Sequence, residues 1–443
     1  MERASVMGNL LKQAVSQLSQ PQGQLILKEN QVVLGHVLKL IPDQKAQIQV
    51  GHSKLVAHLD TPIHPLEKYW FTVKGSDQLG IKLKIVKQVE IDKNSQLATA
   101  KDLLSLFQQQ HTKNNMLLAN ELIRLNIPIT KQQLITANEI IKNTHKAQIP
   151  ETINTVISAL KKQYPLSEVI VRSIIESQKS EPLAQQIDKL FQTLQQENIQ
   201  TKSIKQLTEL IKGVMQVSIG NPDNDLQLVS KDIVQNVLLA TEKNLGLMDE
   251  TKLWHQLNSE RDKMNETLSL KNMLISASKE VAIPGLKDQI DQLIHRLNGQ
   301  SLLYQDNGPT QQIITQIPLF FNNSQTDLTI KWNGKKQADG TIDPAFCRII
   351  FYLQLPRLNE SMIDVQIQNR VMNITVRNNS KALEKLVTLY SNELKEHLSN
   401  IDYYVTSVKV TPFEKKAEFQ GNSIKQVNIQ TPQSSYTGVD IKI

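Results

Sequence analysis

From Phe346 to Pro412 the chain alternates apolar and polar residues, turns, alternates twice more, shifts to a helical period and returns to alternation without a gap. No other stretch limits the fold so tightly. Cys347, Ile349, Phe351, Leu353 and Leu355 fall on one face of a strand and Arg348, Tyr352 and Gln354 on the other, until Pro356 ends it. Ile363, Val365 and Ile367 alternate next, and beyond the polar turn Gln368-Asn369-Arg370 so do Met372, Ile374 and Val376, which predicts a hairpin with one buried face. Ser380 stands where it can cap a helix carrying Leu383, Leu386, Val387, Tyr390, Leu394 and Leu398 as one stripe. Tyr404, Thr406, Val408 and Val410 supply a closing strand. One helix laid across the apolar face of an antiparallel sheet would bury both, giving a two-layer α+β module.

The run Phe351–Val410 resembles the C-terminal domain of the flagellar hook-length control protein family. That domain has a strand, a Leu-Gly turn, an alternating strand, a hairpin, a helix with paired leucines and a closing strand. Leu358-Asn359 stands where the family usually has Leu-Gly, and Asn tolerates the left-handed backbone of such a turn. The preceding run, Ile317–Ile349, is similar to long members of the family from spore-forming bacteria; within it Asn333-Gly334 signals a hairpin turn after Leu328, Ile330 and Trp332. The resemblance implies a partner, the cytoplasmic domain of a flagellar export-gate protein, and a role in switching type III export from hook-type to filament-type substrates. On this sequence the contact residues would be Pro356, Leu358 and Asn359 in the loop Pro356–Glu360, with Asp364 and Gln366 on the outward face of the next strand. Those five also read as a strand-ending turn and solvent-facing polar residues.

The rest of the chain divides by period. Residues 1–22 carry Val6, Met7, Leu10, Leu11, Ala14 and Leu18 at amphipathic helical spacing, without the continuous apolar core of a signal peptide. Between 23 and 88, five short alternating segments separated at Pro42-Asp43, Gly51-His52, Thr61-Pro62 and Gly75-Ser76-Asp77 predict a small β-barrel, whose closure removes exposed edges. From 95 the period is helical. Starts are marked at Thr130, Pro150-Glu151, Pro165-Leu166-Ser167 and Pro284-Gly285, and Gly299 follows the stripe Leu286, Ile290, Leu293, Leu297 as an end signal. Ile219–Asn224 divides this all-α middle into halves at 95–219 and 225–300, the C-terminal module occupies 311–413, and 414–443 is a polar tail. The long Pro- and Ser-rich segment of well-known family members, suited to measuring by extension, is replaced here by helices.

A chain of 443 residues suits about three domains. No apolar run approaches the roughly 18 residues of a membrane span, so a cytoplasmic protein is expected, with its own passage through the flagellar type III apparatus left open. The single cysteine, Cys347, excludes a disulfide framework and reads as a small core residue. Fifty basic against 43 acidic residues is a mild excess without long basic runs, and the barrel's aromatics Tyr69, Trp70 and Phe71 are adjacent rather than interleaved with lysines, which disfavours nucleic acid. His58, Asp60 and His64 form the nearest metal-like cluster, but no further ligand accompanies them. With no phosphate loop and no convergent acid–base pair, the expectation is a binding protein, neither an enzyme nor the holder of a cofactor or metal. A cytoplasmic scaffold or nucleic-acid-binding protein with no ruler role is the alternative.

Overall fold

The computed structural model describes residues 27–77, 80–89, 95–197, 199, 201–216, 244–246, 269–303, 305–307, 310–321, 324–337 and 341–413. The amphipathic segment 1–22, the division at 219–224 and the tail 414–443 lie outside the described residues, as does much of the second helical half. Among the described residues no helix is long and apolar enough to cross a membrane. Five strands, β1 (Val32–Ile41), β2 (Lys45–Val50), β3 (Ser53–Leu59), β4 (Lys68–Asp77) and β5 (Gly80–Val89), close a barrel in the order β1-β2-β3-β5-β4. Alternate residues fill it: Val33, Val37, Ile48, Ala57, Phe71 and Leu83 are buried together. Gly35 is required there, since a Cβ would stand 2.6 Å from Ile48 and 2.8 Å from Phe71. Parallel pairing of β3 with β5 completes the ring.

The helical middle is not a free-standing layer. Helices α1 (Ser95–Leu106), α2 (Lys113–Arg124), α3 (Lys131–Lys142), α4 (Ile149–Lys161) and α5 (Glu168–Ser177) share one hydrophobic core with Val32, Trp70 and Val89 on the outside of the barrel. Local caps start them where expected: Thr130 and Gln133 form a capping box, Ser167 accepts from the Ile170 N–H, and Pro150 lies in the first turn of α4. Ile129, in the lead-in to α3, bridges to Val32 with N–H to O distances of 2.9 and 3.3 Å, sewing helices to barrel. Helices α6 (Leu183–Glu197), α7 (Lys202–Gln216), α8 (Leu270–Glu280) and α9 (Pro284–Leu302) form a second core that includes Phe320 from the C-terminal sheet. The cores therefore part between Ser177 and Leu183. Gly299 is not the end of α9, which runs on to Leu302; a Cβ there would lie 2.2 Å from the Ser173 carbonyl, so the glycine permits a close crossing with α5.

The C-terminal sheet has seven strands in the order β12-β11-β10-β9-β8-β7-β6. They are β6 (Gln305–Asn307), β7 (Thr310–Phe321), β8 (Ser324–Lys336), β9 (Ile342–Leu355), β10 (Asn359–Gln368), β11 (Val371–Arg377) and β12 (Tyr404–Thr411). All pairs are antiparallel except β11–β12, which α10 (Ala382–Ser399) connects. Asn369 and Arg370, both at positive φ, make the two-residue β10–β11 turn. Asn333-Gly334 makes no turn: both residues continue β8, and Gly334 lets the strand approach β9, a Cβ there falling 2.3 Å from Ile342 and 2.9 Å from Cys347. Ser380 does not cap α10 either; Lys381 occupies the N-cap without a side-chain bond, while the Ser380 N–H donates to Asn378 Oδ1 at 2.6 Å.

Helices and sheet meet through buried charge. Asp327 on β8, 1% exposed, accepts from the first two N–H groups of α6, Leu183 at 2.6 Å and Ala184 at 2.9 Å. Arg296 on α9, 0% exposed, donates to the carbonyl of Glu176 in the last turn of α5 and to those of Lys179 and Glu181 in the α5–α6 connection. A second junction joins α4 to the end of α9: Lys162 Nζ donates to Tyr164 Oη (3.1 Å) and to the Leu302 carbonyl (3.3 Å), which also accepts from Tyr164 (2.9 Å).

This pair gives stability a pH profile. Burial pulls the Lys162 ammonium from 10.5 down to about 8, so between those values the unfolded chain holds a proton the folded chain lacks, and stability rises with pH. Burial pushes the Tyr164 phenol from 10.0 up to about 12, so the folded chain keeps its proton longer and stability falls above pH 10. The thermal midpoint should climb from pH 8 toward 10 and then drop. Differential scanning calorimetry of Lys162→Met should lose the climb relative to wild type, and Tyr164→Phe the drop; superimposable profiles would show that neither group is coupled to folding.

Candidate docking surface

Strand β9 ends at Leu355, and the chain turns through Pro356, Arg357 and Leu358 into β10. Pro356, Arg357 and Asn359 are exposed and Leu358 is half-buried. Asn359 has φ +55°, the left-handed conformation that its residue type tolerates better than most. What holds this turn is a residue that alternation does not reveal. Asn378, 3% exposed, lies just past β11 and points its amide at the turn from below. Its Nδ2 donates to the Leu358 carbonyl (2.8 Å), the Glu360 carbonyl (2.9 Å) and Ser361 Oγ (2.8 Å). Its backbone N–H donates to the Thr411 carbonyl at 3.0 Å, and its Oδ1 accepts from Ser380. Asn379 Oδ1 accepts from the Phe413 N–H at 3.0 Å. Turn, end of β12 and start of α10 are thus tied at one corner, which leaves the exposed side chains on a fixed backbone.

The two strand residues expected to join the turn behave differently. Gln366 is exposed. Asp364 is not an outward-facing contact: it is 5% exposed and accepts from Arg348 through both oxygens, at 2.8 and 2.5 Å. The bond to Asp364 holds the Arg348 guanidinium above its ordinary range. The reason is a covering layer. The face of the sheet that carries Tyr352 and Met362 packs with Leu303, Ala159 and Ile174 of the helices, so this second face of β9 and β10 is not solvent-facing throughout. The docking set that remains at the surface is Pro356, Leu358, Asn359 and Gln366.

The other face of the module also departs from expectation. Cys347, Val365, Ile367, Met372 and Ile374 are buried on it as alternation predicts, but from α10 only Leu398 joins that cluster. No residue of α10 is fully buried. Leu386, Leu389, Tyr390 and Leu394 remain 43%, 69%, 37% and 37% exposed.

At the barrel, His58 is half-buried with no bond to Nε2 among the described residues, while Asp60 and His64 are exposed. Among the described residues no group of three His, Cys, Asp or Glu is placed to hold a metal ion. Tyr69 and Phe71 fill the barrel and Trp70 lies under the helices, so none of the three offers a face to a base.

No protein-family profile matches the chain, and no solved structure matches it. It is similar to the uncharacterized protein YlqG of Bacillus subtilis (strain 168), with 22% identity over 551 aligned positions spanning 89% of this chain and 95% of that protein.

Proposed function

We propose that the chain is a hook-length-control-like docking protein, whose C-terminal module engages the cytoplasmic domain of a flagellar export-gate protein and switches type III export toward later substrates. One observation carries the reading: the exposed turn Pro356–Asn359 is fixed from beneath by Asn378, as a recognition loop on a rigid scaffold must be. The resemblance of Phe351–Val410 to that family's C-terminal domain names the partner. A stretched measuring segment is not part of the proposal, because the described middle of the chain consists of helices packed into two cores. The protein would work in the cytoplasm, where the export gate presents that domain.

Titration calorimetry of the full chain against the export-gate cytoplasmic domain tests this. Binding by wild type is expected, weakened about tenfold or more by Leu358→Ala and by Asn359→Pro, the latter because proline cannot adopt φ +55°. Gln366→Ala, at the rim, should change affinity by less than about threefold. Absence of wild-type binding would overturn the assignment, and equal binding by all variants would move the contact off the turn.

A further inference from the structure

The lysines of the barrel lie apart in the sequence, and strand register gathers them. On β2, β3 and β5 the buried residues Ala46, Ile48, Ala57, Leu59 and Leu83 point into the barrel, so those between them point outward. The outward residues fall into rows. Lys45 stands beside His58, and His58 beside Lys82; Gln47 stands between Lys39 of β1 and Val56; Gln49 stands beside Lys54. Lys84 follows Lys82 on the same face, opposite Thr72 of β4. Helices pack on another wall of the barrel, through Val32, Trp70 and Val89. On the lysine wall Lys39, Lys54, Lys82 and Lys84 are exposed and Lys45 is half-buried. Two carboxylates, Asp43 and Asp60, lie at its margins, just beyond the ends of β1 and β3. Among the described residues Lys39, Lys45, Lys54 and Lys84 form no ion pair. Like charges gathered on one sheet face work against folding, and the chain offers these four no counter-charge.

We propose that this wall binds single-stranded nucleic acid through its phosphates. The sequence disfavours nucleic acid because its lysines are scattered and its barrel aromatics adjacent; register removes the first objection, and a phosphate-held strand does not need the aromatics. Composition separates the occupant from an acidic protein. Protein interfaces are poor in lysine and anchored by aromatic residues or arginine, whereas β1, β2, β3 and β5 contain no Arg, Phe, Tyr or Trp. Phosphates are met by lysine together with amide and hydroxyl side chains, which Gln47, Gln49 and Thr72 supply beside the lysines. Shape favours a single strand over a duplex. The outside of a closed barrel is convex, so a flexible strand can follow it, while a duplex with a persistence length of about 50 nm meets it only at a tangent. With no base stacked, binding should be blind to base sequence and steeply dependent on salt.

Fluorescence anisotropy of the full chain with a labelled single-stranded DNA of about 20 nucleotides and mixed sequence is the test. Wild type should bind at about 50 mM salt, and about four phosphate contacts, each releasing roughly 0.7 of a counterion, should weaken it about 50-fold by about 200 mM. Lys45→Gln and Lys54→Gln should each weaken binding about three- to tenfold whatever the base sequence, and lower the salt slope by about 0.7–1. Lys395→Gln, at an exposed lysine of α10, should change neither quantity, which separates the wall from overall charge. Leu358→Ala should bind DNA as wild type does, which separates the wall from the turn. Absence of binding at about 50 mM salt would overturn the proposal, as would binding indifferent to the Lys45→Gln, Lys54→Gln pair in a chain with an unchanged thermal midpoint, or an equal loss in Lys395→Gln. Displacement of the DNA by polyglutamate at equal charge concentration would give the wall to an acidic polypeptide instead, and tighter binding of the matching duplex would exclude the single strand as its ligand.

Discussion

Asp327→Ala should destabilise the protein by about 3–5 kcal/mol, more than any other single substitution considered, although the residue is remote from the turn and from α10. The carboxylate takes the place of an N-cap for α6, but it comes from a strand 143 residues further along the chain. Its removal leaves the Leu183 and Ala184 N–H groups buried without an acceptor and takes a compensating charge from Arg296, itself wholly buried. Burial pushes the Asp327 carboxyl up and pulls the Arg296 guanidinium down, while their mutual attraction opposes both shifts. Both carboxylate oxygens accept N–H bonds, the pattern of the ionised form. Asp327→Asn retains one acceptor and should lose roughly half as much. Because α6 belongs to the core that includes Phe320 of β7, the loss should appear as a lower urea midpoint for sheet and helices together. In a double-mutant cycle, Asp327→Ala with Arg296→Met should cost less than the sum of the two single changes, since the pair leaves no lone buried charge. Additive costs would show that the two groups are not coupled.

That contact marks the limit of what the amino-acid sequence discloses. Barrel strands, the sheet strands β9 to β12 and the helix starts at Thr130, Pro150, Ser167 and Pro284 were legible because each depends on residues within a few positions: alternation, a capping side chain, a proline in the first turn; β6 and β7 carried no such reading. Features that depend on distant neighbours were misread in a consistent way. Gly299 and Gly334 carry the signals of a helix end and a hairpin turn, yet each is a glycine because another backbone or side chain comes within 3 Å of where its Cβ would be. Asp364 alternates outward from its own hairpin, but whether outward means solvent was decided by helices that precede it by more than sixty residues. The stripe on α10 was visible, whereas the exposure of Leu386, Leu389, Tyr390 and Leu394 was not, because periodicity says which residues share a face and not what packs against it. The turn Pro356–Asn359 was found from its irregularity; Asn378, which fixes it, gives no periodic signal and resembles any polar residue before a helix.

Asn378→Ala therefore offers the sharpest link from fold to recognition. The two amide hydrogens of this buried side chain are shared among three acceptors and its Oδ1 accepts one N–H, all within 2.9 Å. Its loss removes donors from the Leu358 and Glu360 carbonyls and an acceptor from the Ser380 N–H, so a cost of about 2–4 kcal/mol is expected. Asn378→Asp is the informative companion. It keeps nearly the same shape and the acceptor for Ser380, but it turns a carboxylate toward two carbonyl oxygens, and it should cost at least as much as alanine. If the turn is the recognition element, both variants should also lose about tenfold or more in affinity for the export-gate domain at temperatures where circular dichroism shows them folded, because the exposed residues remain while their backbone is released. Leu358→Ala in the Asn378→Ala background should then add little further loss, as the two changes disable one contact. Full affinity in a folded Asn378→Ala protein would separate the rigidity of the turn from binding and leave Asn378 a purely structural tie between β10, β12 and α10.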